Sequence, residues 1–166
     1  MSSPNCDDRP ADEAVSLVVV HSISLPPGQF KGDAVERFFT NRLEAQEHPY
    51  FEAICALRVS AHFFVRRDGE AIQFVPVHRR AWHAGESLWR GRSRCNDFSI
   101  GVELEGADDA SFEPAQYLRL GEIVRALGAA LPLTAIAAHS DIAPGRKTDP
   151  GAFFDWRRCL SLLSRD

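Results

Sequence analysis

Two histidines and one aspartate are spaced in a way that suggests metal chemistry. His21 and His139 each close an apolar run, and Asp149 follows His139 by ten residues across the loop Ala143-Pro144-Gly145-Arg146-Lys147-Thr148. Two imidazoles and one carboxylate form a catalytic zinc set that leaves a fourth position for water. Zinc lowers the pKa of such a water to roughly 7 and polarises a carbonyl. No compact motif such as HExxH fixes the geometry, so other roles stay open. A strand-end histidine also serves as a hydrogen-bonded structural residue. Asp149 before Pro150 also suits a helix cap. Glu103 also suits a solvated strand position. Cys6, Cys55, Cys95 and Cys159 form no CxxC pair and read as idle thiols of a reducing compartment.

These residues need elements to bring them together. Residues 15–20 form a Val-rich apolar run, consistent with a strand buried on both faces and ending on His21. Residues 24–32 contain Pro26-Pro27-Gly28 and form a loop. Asp33 and Glu36 resemble a capping box opening a helix over 34–46. Residues 59–76 read as a β-hairpin turning at Asp68-Gly69. Ser99–Glu105 has period two: Ile100, Val102 and Leu104 share one face, while Gly101, Glu103 and Glu105 share the other. Pro114 opens a helix running to Ala130, with Tyr117, Leu120, Ile123, Val124, Leu127 and Leu131 on one face. Residues 133–138 form a short strand ending on His139, and 153–163 an amphipathic helix. Strands and helices interleave, so the expected class is α/β, a central mixed β-sheet flanked by helices. Both histidines then lie at strand C-terminal ends, where open α/β sheets place ligands.

The chain has 166 residues and a formal net charge of −4, which fits one domain with no basic footprint for nucleic acid. A polar segment, 1–14, precedes a domain over 15–166. The segment has no basic stretch followed by an apolar one, and Leu17-Val18-Val19-Val20 is far too short to span a bilayer. The expectation is a cytoplasmic protein that does not engage the membrane.

The segments VVVHSISLPPGQF, LRVSAHFFVRRDGE, RAWHAG, RCNDFSIGVELEG and AHSDIAPGRKTDPG, with FDW near the end, carry a resemblance. Over residues 18–156 the chain resembles the AmpD-type cytoplasmic 1,6-anhydro-N-acetylmuramyl-L-alanine amidases. These belong to the wider zinc amidase family that includes peptidoglycan recognition proteins and phage amidase lysozymes. The resemblance implies that fold, a Zn2+ cofactor, and the ligands His21, His139 and Asp149. It implies Glu103 as the acidic catalytic residue and Lys147 beside the scissile carbonyl. Trp82 is implied along the substrate cleft. Arg58 and Arg94 become candidate anchors for stem-peptide carboxylates, since guanidinium forks suit them. Many relatives have Asn after the first ligand histidine where this chain has Ser22, so the substrate contact at Ser22 differs. His62 and His83 are further candidates for substrate contact; His48 and His78 read as surface or core-partner residues.

The implied activity is hydrolysis of the amide between the muramyl lactyl group and L-alanine in muropeptides, for cell-wall recycling. The implied partner is the muropeptide, with no obligatory protein partner. Two other readings use the same fold: a non-catalytic peptidoglycan-binding module and a lytic amidase acting on polymeric glycan.

Overall fold

The apolar run around Val18 becomes the interior of the central sheet. In the computed structural model, which describes residues 1–163, β2 (Leu17–Ile23) lies between β8 (Ser99–Glu105) and β9 (Ala135–Ala138) and is parallel to both. β3 (Phe63–Val65) joins the other side of β8 in parallel. β4 (Ala71–Gln73) returns antiparallel through the Asp68-Gly69 turn, giving the order β4-β3-β8-β2-β9. This is the mixed sheet expected. A strand with neighbours on both sides and layers on both faces has no polar face, which is why residues 17–20 are apolar without alternation.

One face packs Val18, Val20, Ile100, Val102 and Leu104 against Tyr117, Leu120 and Leu127 of α3 (Pro114–Ala130) and Cys159 of α5 (Trp156–Leu163). α3 starts at Pro114, and the Gln116 side-chain oxygen accepts the Glu113 N–H at 3.0 Å. The opposite face is covered near β2 and β9 by Phe98 and Ile142. Near β3 it is covered by Phe38 and Phe39 of α1 (Ala34–Phe39).

The helix expected over 34–46 is much shorter. α1 ends after Phe39; the Thr40 hydroxyl turns back to the Glu36 carbonyl at 2.6 Å, and Asn41 is left-handed at φ 58°. The capping box does not form. Asp33 instead accepts from Arg37 at 3.1 Å, and Glu36 is buried against Arg66 of the hairpin. The chain re-enters helix as α2 (Pro49–Ile54), where the His48 ring accepts the Tyr50 N–H at 3.1 Å. The last helix begins at Trp156, after a turn rather than at 153.

The polar segment 1–14 is packed into the fold. β1 (Cys6–Asp8) pairs antiparallel with β5 (Arg79–Ala81), with Asp7 against Arg80 at 2.6 Å and Asp8 against Arg79 at 2.9 Å. The Arg9 guanidinium donates to the carbonyls of Asn96, Asp97 and Ser99 at 2.9–3.0 Å. A minor hairpin, β6 (Leu88–Trp89) with β7 (Arg92–Ser93), lies outside the main sheet. All four cysteines are free thiols. No helix among the described residues is long and apolar enough to cross a membrane.

Candidate metal centre and active-site cleft

Sheet register builds the site. His21 on β2 pairs with Glu103 on β8, while Val20 pairs with Ala138 on β9, immediately before His139. His21 and Glu103 thus share the face opposite Val20 and Val102. His139 opens the short helix α4 (His139–Ile142), and its Asp141 accepts the Ala138 N–H at 2.8 Å. The loop that follows returns so that Ser140 N–H donates to the Asp149 carbonyl at 3.1 Å. That bond brings the Asp149 carboxylate to the two rings.

The three ligand atoms converge. His21 Nδ1 lies 2.9 Å from His139 Nδ1 and 3.2 Å from Asp149 Oδ2, and His139 Nδ1 lies 3.0 Å from the same oxygen. Both rings are buried. His139 Nε2–H donates to the Ala84 carbonyl at 3.1 Å, so the neutral form of the ring turns its Nδ1 lone pair toward the carboxylate oxygen. A cation between two such acceptors satisfies both. Tetrahedral zinc, with ligands at about 2.0–2.2 Å, spans roughly 3.3 Å between ligand atoms, so the donor set fits it in type and spacing.

Ionisation agrees with a ligand role. Burial pulls the His21 imidazole down to about 4 against the opposing bond to Asp149, so it is neutral near pH 7. Burial raises the Asp149 carboxyl, but the contacts with His139 and His21 outweigh it and hold it below the usual carboxylate range. A neutral imidazole at His21 and an ionised carboxylate at Asp149 are the protonation states zinc binds.

A cavity of about 500 Å³ opens over this centre. Its polar end carries His21, His139, Asp149, Glu103 and Lys147, and Leu25, Phe38, Ile54, Leu57 and Trp82 supply an apolar wall. Glu103 is buried, and its Oε2 has no hydrogen-bond partner among the described residues. Burial pushes its carboxyl well above the usual range, and Asp149 adds to the rise while Lys147 opposes it. A carboxyl so placed holds a proton more tightly than a solvated one, which makes it the stronger base that general acid–base catalysis uses.

The other expected site residues separate into two groups. Ser22 and Trp82 line the cavity. His83 lines it too, although its ring faces inward, with Nδ1 2.9 Å from His21 Nε2. His62 does not touch the cavity. It is fully buried, its Nδ1 accepts the Gly101 N–H at 3.0 Å, and burial beside Arg9 pulls its pKa down to about 3. The substrate contact expected of His62 is therefore replaced by a structural role in the core. Arg58 and Arg94 are outside the lining as well. Arg58 is exposed between the lining residues Leu57 and Val59, and its guanidinium donates to the Cys55 and Leu57 carbonyls, both at 3.2 Å. Arg94 is exposed and paired with Asp97 at 3.1 Å.

α2 was not expected from hydrophobic pattern, yet Tyr50 and Ile54 from it line the cavity. The available signal was His48 before Pro49, a capping side chain followed by proline at the first helical position.

An amide hydrolase is what this sheet, cleft and ligand set define, and the comparisons agree. The family model of N-acetylmuramoyl-L-alanine amidases matches residues 11–152, and the chain belongs to this family. It is 53% identical over 166 residues to the 1,6-anhydro-N-acetylmuramyl-L-alanine amidase AmpD of Escherichia coli strain K12, covering 99% of this chain and 91% of the relative. AmpD of Haemophilus influenzae is 47% identical, covering 98% and 90%. Among solved structures, a selenomethionine derivative of AmpD superposes with a TM-score of 0.96 at 51% identity, covering 99% and 93%. The Escherichia coli amidase AmiD, in complex with anhydro-N-acetylmuramic acid-L-Ala-D-gamma-Glu-L-Lys, superposes with a TM-score of 0.67 at 29% identity, covering 93% and 60%.

Proposed function

We propose that the protein hydrolyses the amide bond between the lactyl group of N-acetylmuramic acid, in its 1,6-anhydro form, and L-alanine in muropeptides, with zinc held by His21, His139 and Asp149. One observation carries the reading: three ligand atoms within 4.8 Å of one another stand at the end of a cleft beside the unpartnered carboxylate oxygen of Glu103. The substrate class is that of the AmpD relatives, which share about half of this sequence.

When bound, zinc supplies a Lewis acid for the scissile carbonyl and acidifies the attacking water. Glu103 takes the proton of that water and passes it to the leaving amine of L-alanine. The Lys147 ammonium offsets negative charge developing on the carbonyl oxygen. Trp82 and the apolar wall of Leu25, Phe38 and Ile54 exclude water from one side of the cleft. Ser22 contacts substrate through a short hydroxyl. Arg58, between Leu57 and Val59, reaches a stem-peptide carboxylate at the cleft edge. Arg94, exposed and tied to Asp97, is a second anchor of the same kind. The role is recycling of soluble muropeptides in the cytoplasm.

The test is mass spectrometry of a purified anhydromuropeptide after incubation with the protein. The expected products are the free anhydro sugar and the intact peptide beginning at L-alanine, and their formation stops with chelator and returns with zinc. Release from polymeric sacculi without turnover of the soluble fragment would instead assign a lytic role.

A further inference from the structure

The metal-facing nitrogen of His21 must carry a lone pair, yet the ring has another nitrogen on which the proton has to stay. The surroundings of that second nitrogen form a chain with a defined direction. The Ser99 hydroxyl donates its single proton to the Cys95 carbonyl at 2.5 Å. Toward His83 Nε2, 3.2 Å away, the same oxygen can only accept, so the His83 proton sits on Nε2. His83 Nδ1 is then a lone pair, 2.9 Å from His21 Nε2, which must donate. The one proton of neutral His21 is thereby committed to Nε2, and Nδ1 faces His139 and Asp149 bare.

The His83 ring is clamped in this pose. It is buried edge-on to the His21 ring, with centroids 5.0 Å apart. The backbone N–H groups of His83 and Ala84 both donate to the Asn96 side-chain oxygen, at 3.1 and 2.8 Å. The ring also lies flat on β8 where residue 101 is glycine; a Cβ there would come 2.5 Å from His83 Cγ. Asn96, Gly101 and Ser99 thus serve one ring whose Nδ1 meets His21 Nε2.

We propose that His83 and Ser99 are positioning residues that set the tautomer of His21 and so raise the metal affinity of the site. Partners behind metal-bound histidines, most often carboxylates or carbonyls, typically contribute 10–100-fold in affinity. In this site a second imidazole performs that role, and its own direction is set by a serine.

The inference rests on the zinc reading above, and its test separates the two. Zinc dissociation constants are measured by chelator competition on the full chain for wild type, His83→Leu, His83→Asn and Ser99→Ala. If wild type binds no zinc, the parent reading fails. If it does, His83→Leu is expected to weaken binding about 10–100-fold. His83→Asn, whose amide oxygen offers an acceptor near the position of Nδ1, should recover most of the loss, which a purely space-filling role for the ring does not predict. Ser99→Ala should weaken binding less than His83→Leu. Nitrogen-15 NMR of the imidazoles in wild type should find the His21 proton on Nε2, a readout that does not depend on any variant folding. Wild-type affinity in His83→Leu, no recovery in His83→Asn, or a His21 proton on Nδ1 would each overturn the proposal.

Discussion

His21 and Glu103 are direct register partners on the parallel strands β2 and β8, and both side chains face the cleft. Adjacent strands lie about 4.8 Å apart, so sheet geometry alone sets a candidate metal ligand beside a candidate acid–base group. Register also brings His139 to the other flank of His21, since Ala138 pairs with Val20. In the proposed function, metal binding and proton transfer belong to different side chains on one row and can be separated by substitution.

The ligand set predicts about one zinc per chain. Alanine at His21, His139 or Asp149 should each strip the metal, because three protein ligands leave none to spare. Elemental analysis after dialysis checks this, and full zinc in any of the three variants contradicts the assignment.

Lys147 lines the cleft but is not in the ligand group. Lys147→Met should keep the metal and lower kcat by the equivalent of about 2.7–4 kcal/mol, the usual loss for one group stabilising a developing oxyanion. Steady-state kinetics on zinc-loaded protein decides; unchanged turnover would make Lys147 a surface residue.

Burial of Glu103 leads to a stability prediction for the metal-free protein. Its folded pKa is raised, so below the unfolded value of about 4.3 the carboxyl is protonated in both states and costs nothing. As pH climbs from there through the folded pKa, the native state binds more protons than the unfolded state and stability falls. Glu103→Gln removes that dependence. Melting temperatures of the two metal-free proteins should diverge as pH rises above about 4.3, with the glutamine variant the higher. A gap that does not change with pH would show that Glu103 ionises without penalty.

Arg9 anchors the N-terminal segment beside the site. Its guanidinium serves the Val77, Asn96, Asp97 and Ser99 carbonyls, and although burial pulls its pKa to about 10 it stays charged at neutral pH. Arg9→Ala leaves those carbonyls short of a donor and should cost about 3 kcal/mol. Urea unfolding measures it; a loss under about 0.5 kcal/mol, the ordinary range for surface changes, would contradict this account.

Much of the scaffold was legible in the sequence because its signals are local. Ser99–Glu105 and Pro114–Ala130 are marked by period-two alternation and by proline at the first helical turn, and the structure has both at those bounds. The helix over 34–46 was misread because tertiary contacts override its pattern: Glu36 turns to Arg66, and Asn41 takes a left-handed backbone. The β1–β5 pair escaped notice because Asp7 and Asp8 meet Arg80 and Arg79 more than 70 positions away, and polar residues give no hydrophobic period. In the site, His21, His139 and Asp149 were legible from strand ends and motif. His62 and His83 were not distinguishable, since only the packed fold turns one to the core and the other onto His21.

The most direct test of the central claim, that the metal centre and the proton carrier are separate groups, is zinc content and kcat measured on one sample of Glu103→Gln. Gln keeps the size of Glu but accepts no proton at neutral pH, and His21, His139 and Asp149 are untouched. The account predicts full zinc with turnover reduced by roughly 10²–10⁴. Loss of zinc would make Glu103 part of the metal centre, and full zinc with wild-type kcat would give the proton transfer to another group; either result contradicts the account.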